Sequence, residues 1–259
     1  MLAPRRLPAS YNSWNHVNGA PFGRALTISP LKLKSMSPEA VQRLRGPFAF
    51  QGNNTIRQFE YPWAFDVAAI TPGMSLVELG AGLSGLQFVL DAFGCHVINI
   101  DPGMEAMEWP CSHESIEKLN DLFGTHVELI NMTIENASLK TESIDRVFSI
   151  SVLEHLSPTM AAGTMREIHR CLKPNGLFIL TTDLFLNVQP FCSRLSNEYG
   201  QNQDLRSLID DTMWEIAVGD RIVLCGFPEF DTDFILSHLE DYLIGTYPAL
   251  AQCLVLKRL

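Results

Sequence analysis

Val77-Glu78-Leu79-Gly80-Ala81-Gly82-Leu83-Ser84-Gly85 is the stretch whose reading decides the fold. A buried strand ends at Leu79, and glycines then let the backbone turn sharply and approach a ligand with no Cβ in the way. The next helix starts near Ser84, so its free N–H groups point at the same place. Taken alone, Gly80-x-Gly82-x-x-Gly85 also fits a dinucleotide-binding turn, or a tight strand-to-helix turn with no ligand. Asp101, at the end of Ile98-Asn99-Ile100, stands about 20 residues past the glycines, the spacing at which a carboxylate on the neighbouring parallel strand meets both hydroxyls of a ribose. Loop and acid together favour an adenosine ligand over a plain turn followed by a cap at Pro102-Gly103.

Outward from this stretch, the chain from Met74 alternates short apolar runs with amphipathic segments, the texture of β/α units around a parallel sheet. Strands are predicted at 75 to 79, 95 to 100, 126 to 130, 145 to 150 and 177 to 182, with helices near 84 to 93, 112 to 123 and 158 to 172. Ser157-Pro158 starts the last helix, and Lys173-Pro174-Asn175-Gly176 forces a turn before the next strand. After Thr182 the alternation breaks down. A helix is predicted over 203 to 216, then a short apolar run RIVLCGF, a helix from Thr232 to about Asp241, and YLIGTY and AQCLVLKRL as pairing closing strands. The stretch 183 to 231 is long for a connection and reads as a lid or substrate-binding insertion. Residues 1 to 70 are rich in Pro, Gly, Asn and aromatics and read as a cap. Within them SPEAVQRLRG (37 to 46) is a helix, with Ser37 as N-cap, Pro38 at the first position and Gly46 as stop, and a second helix is predicted near 61 to 70.

Composition limits the partners. The 259 residues carry 29 acidic and 19 Lys plus Arg side chains, a net charge of -10, which disfavours a generic nucleic-acid binder that needs a basic stripe. The chain is 46% hydrophobic, ample for a large core, yet no apolar run approaches the roughly 20 residues of a spanning helix. Cys95, Cys111, Cys171, Cys192, Cys225 and Cys253 are scattered, with no C-x-x-C pair and no zinc-site spacing, and read as thiols of a reducing compartment. No metal is implied. The expected location is cytoplasmic, and a monomer and a homodimer stay equally open.

Asp145-Arg146-Val147-Phe148-Ser149-Ile150 opens the fourth strand, Ser151-Val152-Leu153-Glu154-His155-Leu156 follows it, and LKPNGLFILTT (172 to 182) comes next. With the glycine loop and Asp101, these ordered motifs make residues 74 to 183 strongly resemble the class I S-adenosylmethionine-dependent methyltransferases, particularly the LEHL-containing group that acts largely on small molecules. The resemblance implies an α/β, Rossmann-like three-layer sandwich whose seven-stranded, mostly parallel sheet has an antiparallel last strand. It implies S-adenosylmethionine as cofactor and S-adenosylhomocysteine as product. By position it places Gly80, Ala81 and Gly82 under the methionine portion, Glu78 at its polar end, and Asp101, with Pro102 beside it, at the ribose. Thr133 stands where the family often has an Asp facing adenine, Ile134 supplies an apolar face and a backbone N–H, and Ser151 lines the sulfonium end.

Methyl transfer from a sulfonium is an in-line displacement with a good neutral leaving group, so alignment and exclusion of water dominate. An acceptor hydroxyl needs a base, whereas an amine must only arrive unprotonated. His155 and Asp183 are the candidates for such a base, and each has an ordinary structural reading beside it. Arg57 and Tyr61, in IRQFEYPWAF, either fold over the cofactor's carboxylate or are an ordinary surface arginine and packed aromatic. Trp14, Trp109, Phe185, Phe191 and Trp214 are candidate walls for an acceptor. The expected activity is methylation of O, N or C of a small molecule. A protein or RNA acceptor, a non-catalytic cofactor-binding subunit and a nicotinamide oxidoreductase are the alternatives, although the Asn/Asp-Pro-Pro-aromatic segment of nucleic-acid amino-methylating enzymes is replaced here by Ser151-Val152-Leu153-Glu154.

Overall fold

A computed structural model describes residues 1–103 and 111–259. The strands are β1 (Ser75–Leu79), β2 (His96–Ile100), β3 (Glu128–Ile130), β4 (Ile144–Ile150), β5 (Leu172–Phe185), β6 (Trp214–Val218) and β7 (Ala249–Arg258). They form one seven-stranded sheet in the order β3-β2-β1-β4-β5-β7-β6. β1 to β5 run parallel, and β7 is antiparallel to both its neighbours, as the resemblance implied. The helices are α1 (Ala9–Asn18), α2 (Pro30–Lys34), α3 (Pro38–Arg45), α4 (Arg57–Val67), α5 (Gly85–Ala92), α6 (His113–Phe123), α7 (Pro158–Cys171), α8 (Leu205–Leu208) and α9 (Thr232–Ser237). Among the described residues no helix is long and apolar enough to cross a membrane.

The central strands are apolar on both sides because both faces are covered. Leu76, Phe148 and Ile179 share a core with Phe59 and Trp63 of α4 and Leu86 and Phe88 of α5. Val77, Val147, Phe178 and Leu180 pack on the other face with Ala161, Met165 and Ile168 of α7. Ser37 and Ser157 act as read, their side chains accepting from Ala40 N and Met160 N, and Ser84 and Ser112 cap their helices in the same way by accepting from Leu86 N and Ser115 N.

Four expectations need correction. The helix expected over 203 to 216 is only α8. Asp210 Oδ1 accepts from Thr212 N and Oγ1, folding the chain into a turn, and Trp214-Glu215-Ile216 then pairs with Arg258-Lys257-Leu256 as β6. The period-two pattern of Trp214, Ile216 and Val218 was hidden by good helix formers before it. YLIGTY is not a closing strand. Its backbone meets the chain's first residues instead, with Leu243 N donating to Ala3 O and a bridge between Pro4 and Tyr242. Lys173-Pro174-Asn175-Gly176 is a bulge within β5, with Asn175 at φ 62°, so that pairing jumps from Ile144–Leu172 to Arg146–Leu177.

The fourth correction bears on the cap. α4 begins at Arg57, four residues ahead of the expected 61, and carries Pro62 inside it. Proline has no N–H, so the Gln58 carbonyl one turn back loses its helical partner. The buried Asn15 of α1 fills the gap, with Nδ2 donating to Gln58 O at 2.7 Å. Residues 1–3 lie along the outer edge of β7 beyond β6, where Ala3 N donates to Ala251 O and Leu2 bridges Gln252.

Candidate active site

Register pairs Leu79 with both Ile100 and Ser149, and Ser149 with Leu180. The loops after β1, β2, β4 and β5 therefore converge at one edge, where strand order switches between β1 and β4, the usual ligand position in such sheets. Gly80 and Gly82 adopt φ of 58° and 55°, the left-handed region. A Cβ on Gly82 would stand 2.6 Å from Gln51 Oε1, and one on Gly80 2.9 Å from the Val152 side chain.

Asp101, 3% exposed, fixes this turn. Its Oδ2 accepts from Gly82 N at 2.9 Å and its Oδ1 from Gly103 N at 2.7 Å. The Gly82 carbonyl is held in turn by Asn99 Nδ2 at 3.0 Å, Gln87 Nε2 at 3.1 Å and Cys111 Sγ at 3.2 Å. The cap closes over the far side: Gln51 Oε1 accepts from Leu83 N at 2.7 Å, and Tyr61, buried beside Phe48, donates to Asn53 Oδ1 at 3.0 Å. Burial pushes the Tyr61 hydroxyl up to about 12.

Glu78 lies on β1 just beneath the turn, 1% exposed, and its Oε2 has no hydrogen-bond partner among the described residues. Burial pushes its carboxyl up to about 8, with the Ser84 hydroxyl pulling the other way. Beyond β3, Asn131 Nδ2 donates to Asp101 O at 3.2 Å, and Pro102 is half-buried. The Thr133 hydroxyl accepts from Asn136 Nδ2 at 3.1 Å, and Ile134 is buried in the core beside Leu79 and Ile100.

At the ends of β4 and β5, side chains from the cap and the sheet meet. Ser151, at φ 51°, accepts from Arg57 Nη1 at 2.7 Å, and its hydroxyl lies 3.1 Å from Glu60 Oε1 and 3.5 Å from Asp183 Oδ1. Arg57 also pairs with Glu60. Burial opposes the guanidinium charge, but Glu60, Tyr61 and Asp183 outweigh it and raise the Arg57 value above its ordinary one. Tyr247 donates to Asp183 Oδ2 at 2.6 Å, and Asp183 N donates to Glu154 Oε1 at 3.1 Å. Glu154 Oε2, on a residue 1% exposed, has no partner among the described residues. Burial, then the neighbouring Asp183, holds the Glu154 carboxyl well above the carboxylate range. Burial likewise raises Asp183 to about 6, against the pull of Arg57.

The structure thus brings Arg57, Tyr61, Glu78, Gly80, Gly82, Asp101, Ser151 and Asp183 to one edge. His155 is exposed, in the short turn Leu153–His155; the residue of that turn that enters the buried cluster is Glu154. Gln51, Glu60, Glu154 and Tyr247 were not foreseen. Only Arg57-x-x-Glu60, an ion pair at helical spacing, left a trace in the sequence. Of the candidate walls, Trp14 packs on Phe48 and Phe65, Trp214 on Phe178 and His169, and Phe191 on Phe230, all within the cores. Phe185 lies beneath Tyr247, 6.0 Å between centroids, and Trp109 falls outside the described residues.

The Asp183–Glu154 pair, facing Arg57, Glu60, Ser151 and Tyr247, sets a pH dependence. A carboxyl raised from 3.8 to about 6 binds its proton more tightly folded than unfolded, so its contribution is complete at low pH and is lost as pH rises from about 4 to 6. Asp183→Asn keeps the shape of the protonated group without the titration. Its stability deficit relative to the native chain should shrink as pH rises through that window. Urea midpoints measured at several pH values check this, and a deficit that grows instead would reverse the assignment.

The residues present fit S-adenosylmethionine. The glycine turn offers a surface without Cβ atoms, each Asp101 oxygen keeps a second lone pair, and the partnerless Glu78 Oε2 is an acceptor for a cationic donor. Comparison with known proteins points the same way. Residues 77–180 match the family model described as a methyltransferase domain. No curated protein matches the chain. Among solved structures, a protein of Pyrococcus horikoshii OT3 is 14% identical, with TM-score 0.54, over 77% of this chain and 89% of that one. A SAM-dependent methyltransferase from Methanosarcina mazei is 15% identical, with TM-score 0.51, over 75% and 97%. A phosphoethanolamine N-methyltransferase from Haemonchus contortus, bound to phosphoethanolamine and S-adenosylhomocysteine, is 14% identical, with TM-score 0.51, over 77% of this chain and 42% of its own. At these identities the likeness is one of fold.

Proposed function

We propose that the chain, whose residues 77–180 match a methyltransferase-domain model, transfers a methyl group from S-adenosylmethionine to a small-molecule acceptor enclosed between the domain and its N-terminal cap. The observation that carries this reading is the convergence of the Asp101-fixed glycine turn and the Ser151 cluster at one sheet edge, directly beneath cap side chains. The bound cofactor supplies a methyl group on a sulfonium. Gly80, Ala81, Gly82 and Glu78 hold its methionine end, Asp101 and Pro102 the ribose, and Thr133 and Ile134 the adenine. Arg57, locked by Glu60 and Ser151, and the buried Tyr61 close the cap side and keep water out, the chief requirement of an in-line displacement.

Enclosure by residues 1–70 and by the segment after β5 supports a small acceptor, since a folded macromolecule could not reach Ser151 through them. Such a protein stays on the cytoplasmic side, where its six scattered cysteines remain thiols; all six are unpaired in the structure. Titration calorimetry with S-adenosylhomocysteine should give a dissociation constant in the micromolar range, about -8 kcal/mol. Heat absent for this ligand, together with thermal stabilisation by NAD or NADP, would replace the reading by a nicotinamide oxidoreductase.

A further inference from the structure

Three buried carboxyl groups, Glu60, Glu154 and Asp183, meet one guanidinium, Arg57, at the edge beside Ser151. Arg57 is committed to Glu60 and Ser151. Asp183 receives only the neutral hydroxyls of Tyr247 and Ser151. Glu154 is gripped through Oε1 by the Asp183 N–H, which leaves Oε2 buried with no donor among the described residues. A buried carboxyl oxygen without a partner costs free energy, and ionising three carboxyls beside one guanidinium costs more. Among the described residues no set of His, Cys, Asp and Glu is arranged to hold a metal ion.

An aromatic approach leads to the same place. Tyr199 stacks on Tyr247 with centroids 4.0 Å apart and planes at 14°, and Phe185 lies behind. Both tyrosines are partly exposed, while Asp183, bonded to the Tyr247 hydroxyl, is buried. Tyr247 bonds Asp183, whose backbone N–H in turn holds Glu154, and the Ser151 hydroxyl lies 3.5 Å from Asp183 Oδ1. Aromatic faces followed by a spare carboxylate are the chemistry that recognises an organic ammonium group.

We infer that the methyl acceptor is an amine, drawn in past Tyr199 and Tyr247 as its ammonium form and deprotonated by Glu154 Oε2. The inference rests on the methyl-transfer reading and adds the acceptor's class and its base. One N–H bond of the ammonium breaks, the proton forms an O–H bond at Glu154, and the nitrogen keeps the electron pair. That pair forms the new N–C bond as the methyl group leaves sulfur, whose bonding pair stays behind to give the neutral thioether. A methylated ammonium that still carries an N–H loses its proton to solvent, a quaternary one leaves as the cation, and Glu154 loses its proton when the site reopens. Desolvation raises the proton affinity of Glu154 above that of a surface carboxyl, and the cation arriving beside it favours the ionised form that accepts the proton.

The full chain with S-adenosylmethionine tests this against ethanolamine, 2-(dimethylamino)ethanol and benzylamine and their oxygen counterparts ethylene glycol and benzyl alcohol, reading S-adenosylhomocysteine released. At least one amine should be methylated and its alcohol counterpart not. Glu154→Gln should lower amine turnover about 100-fold while S-adenosylhomocysteine binds within about threefold of the native chain, the signature of a lost base. Should that variant fail to fold, Tyr199→Leu serves, with KM for the amine rising about tenfold and kcat nearly unchanged. Turnover of alcohols alone, of no amine although the cofactor binds, or of amines at native rate in both variants overturns the inference. Failure to bind S-adenosylhomocysteine at all would fell the methyl-transfer reading itself.

Discussion

Asp101→Ala should weaken S-adenosylhomocysteine binding on the order of a thousandfold, because two charge-assisted hydrogen bonds of about 1.5–3 kcal/mol each to the ribose vanish together. The same carboxylate fixes Gly82 and Gly103 through their N–H groups, so the turn loses its shape as well as its ligand contact. Asp101→Asn separates the two effects. The amide's single carbonyl oxygen satisfies one glycine N–H, and its NH2 group faces the other as a like donor. Binding should fall nearly as far as with Ala although the side chain has almost the native volume. Calorimetry on both variants, with far-ultraviolet circular dichroism to confirm the fold, checks this. Binding within about threefold of native in Asp101→Ala would remove the residue from the cofactor site and with it the meaning of the 20-residue spacing.

Arg57→Met should cost about 3–5 kcal/mol of folding stability, the range for removing one partner of a buried ion pair. Glu60 is fully buried, and Arg57 is its ionic partner. Without the guanidinium, the carboxylates of the cluster face one another with only neutral hydroxyls between them. Acidification neutralises carboxylates, so the loss should shrink at low pH. Arg57→Met combined with Glu60→Leu should be more stable than Arg57→Met alone, since no orphaned charge remains. Urea titrations measure all three quantities. A loss below about 1 kcal/mol for the single variant would place the pair in the surface class and imply that water reaches it.

The parallel sheet was legible because its strands are buried on both faces and bounded by strong turn chemistry. SLVEL is a strand with the predicted limits, and α7 starts at Pro158 as Ser157-Pro158 demands. What escaped depends on pairing between distant parts of the chain. Trp214–Val218 becomes a strand only because β7 offers an edge, and YLIGTY does not because residues 3 and 4 reach it first. The candidate site divides in the same way. Glycines and Asp101 betray themselves by spacing along one β/α unit. Glu60, Glu154 and Tyr247 meet from three remote segments, and Glu154 was overshadowed by the more conspicuous His155 beside it.

The missing N–H of Pro62 has a consequence for how the cap finds its seat. In an unbroken helix every carbonyl one turn from the next is alike, and a partner helix can slip by a turn with little change in contacts. In α4 one carbonyl, that of Gln58, is unlike the rest, and a single amide from α1 answers it. A slip of α1 by one turn would leave both groups stranded in the interior. The proline therefore acts as an address mark, turning a local defect into the register that brings Arg57 and Glu60 to the sheet edge.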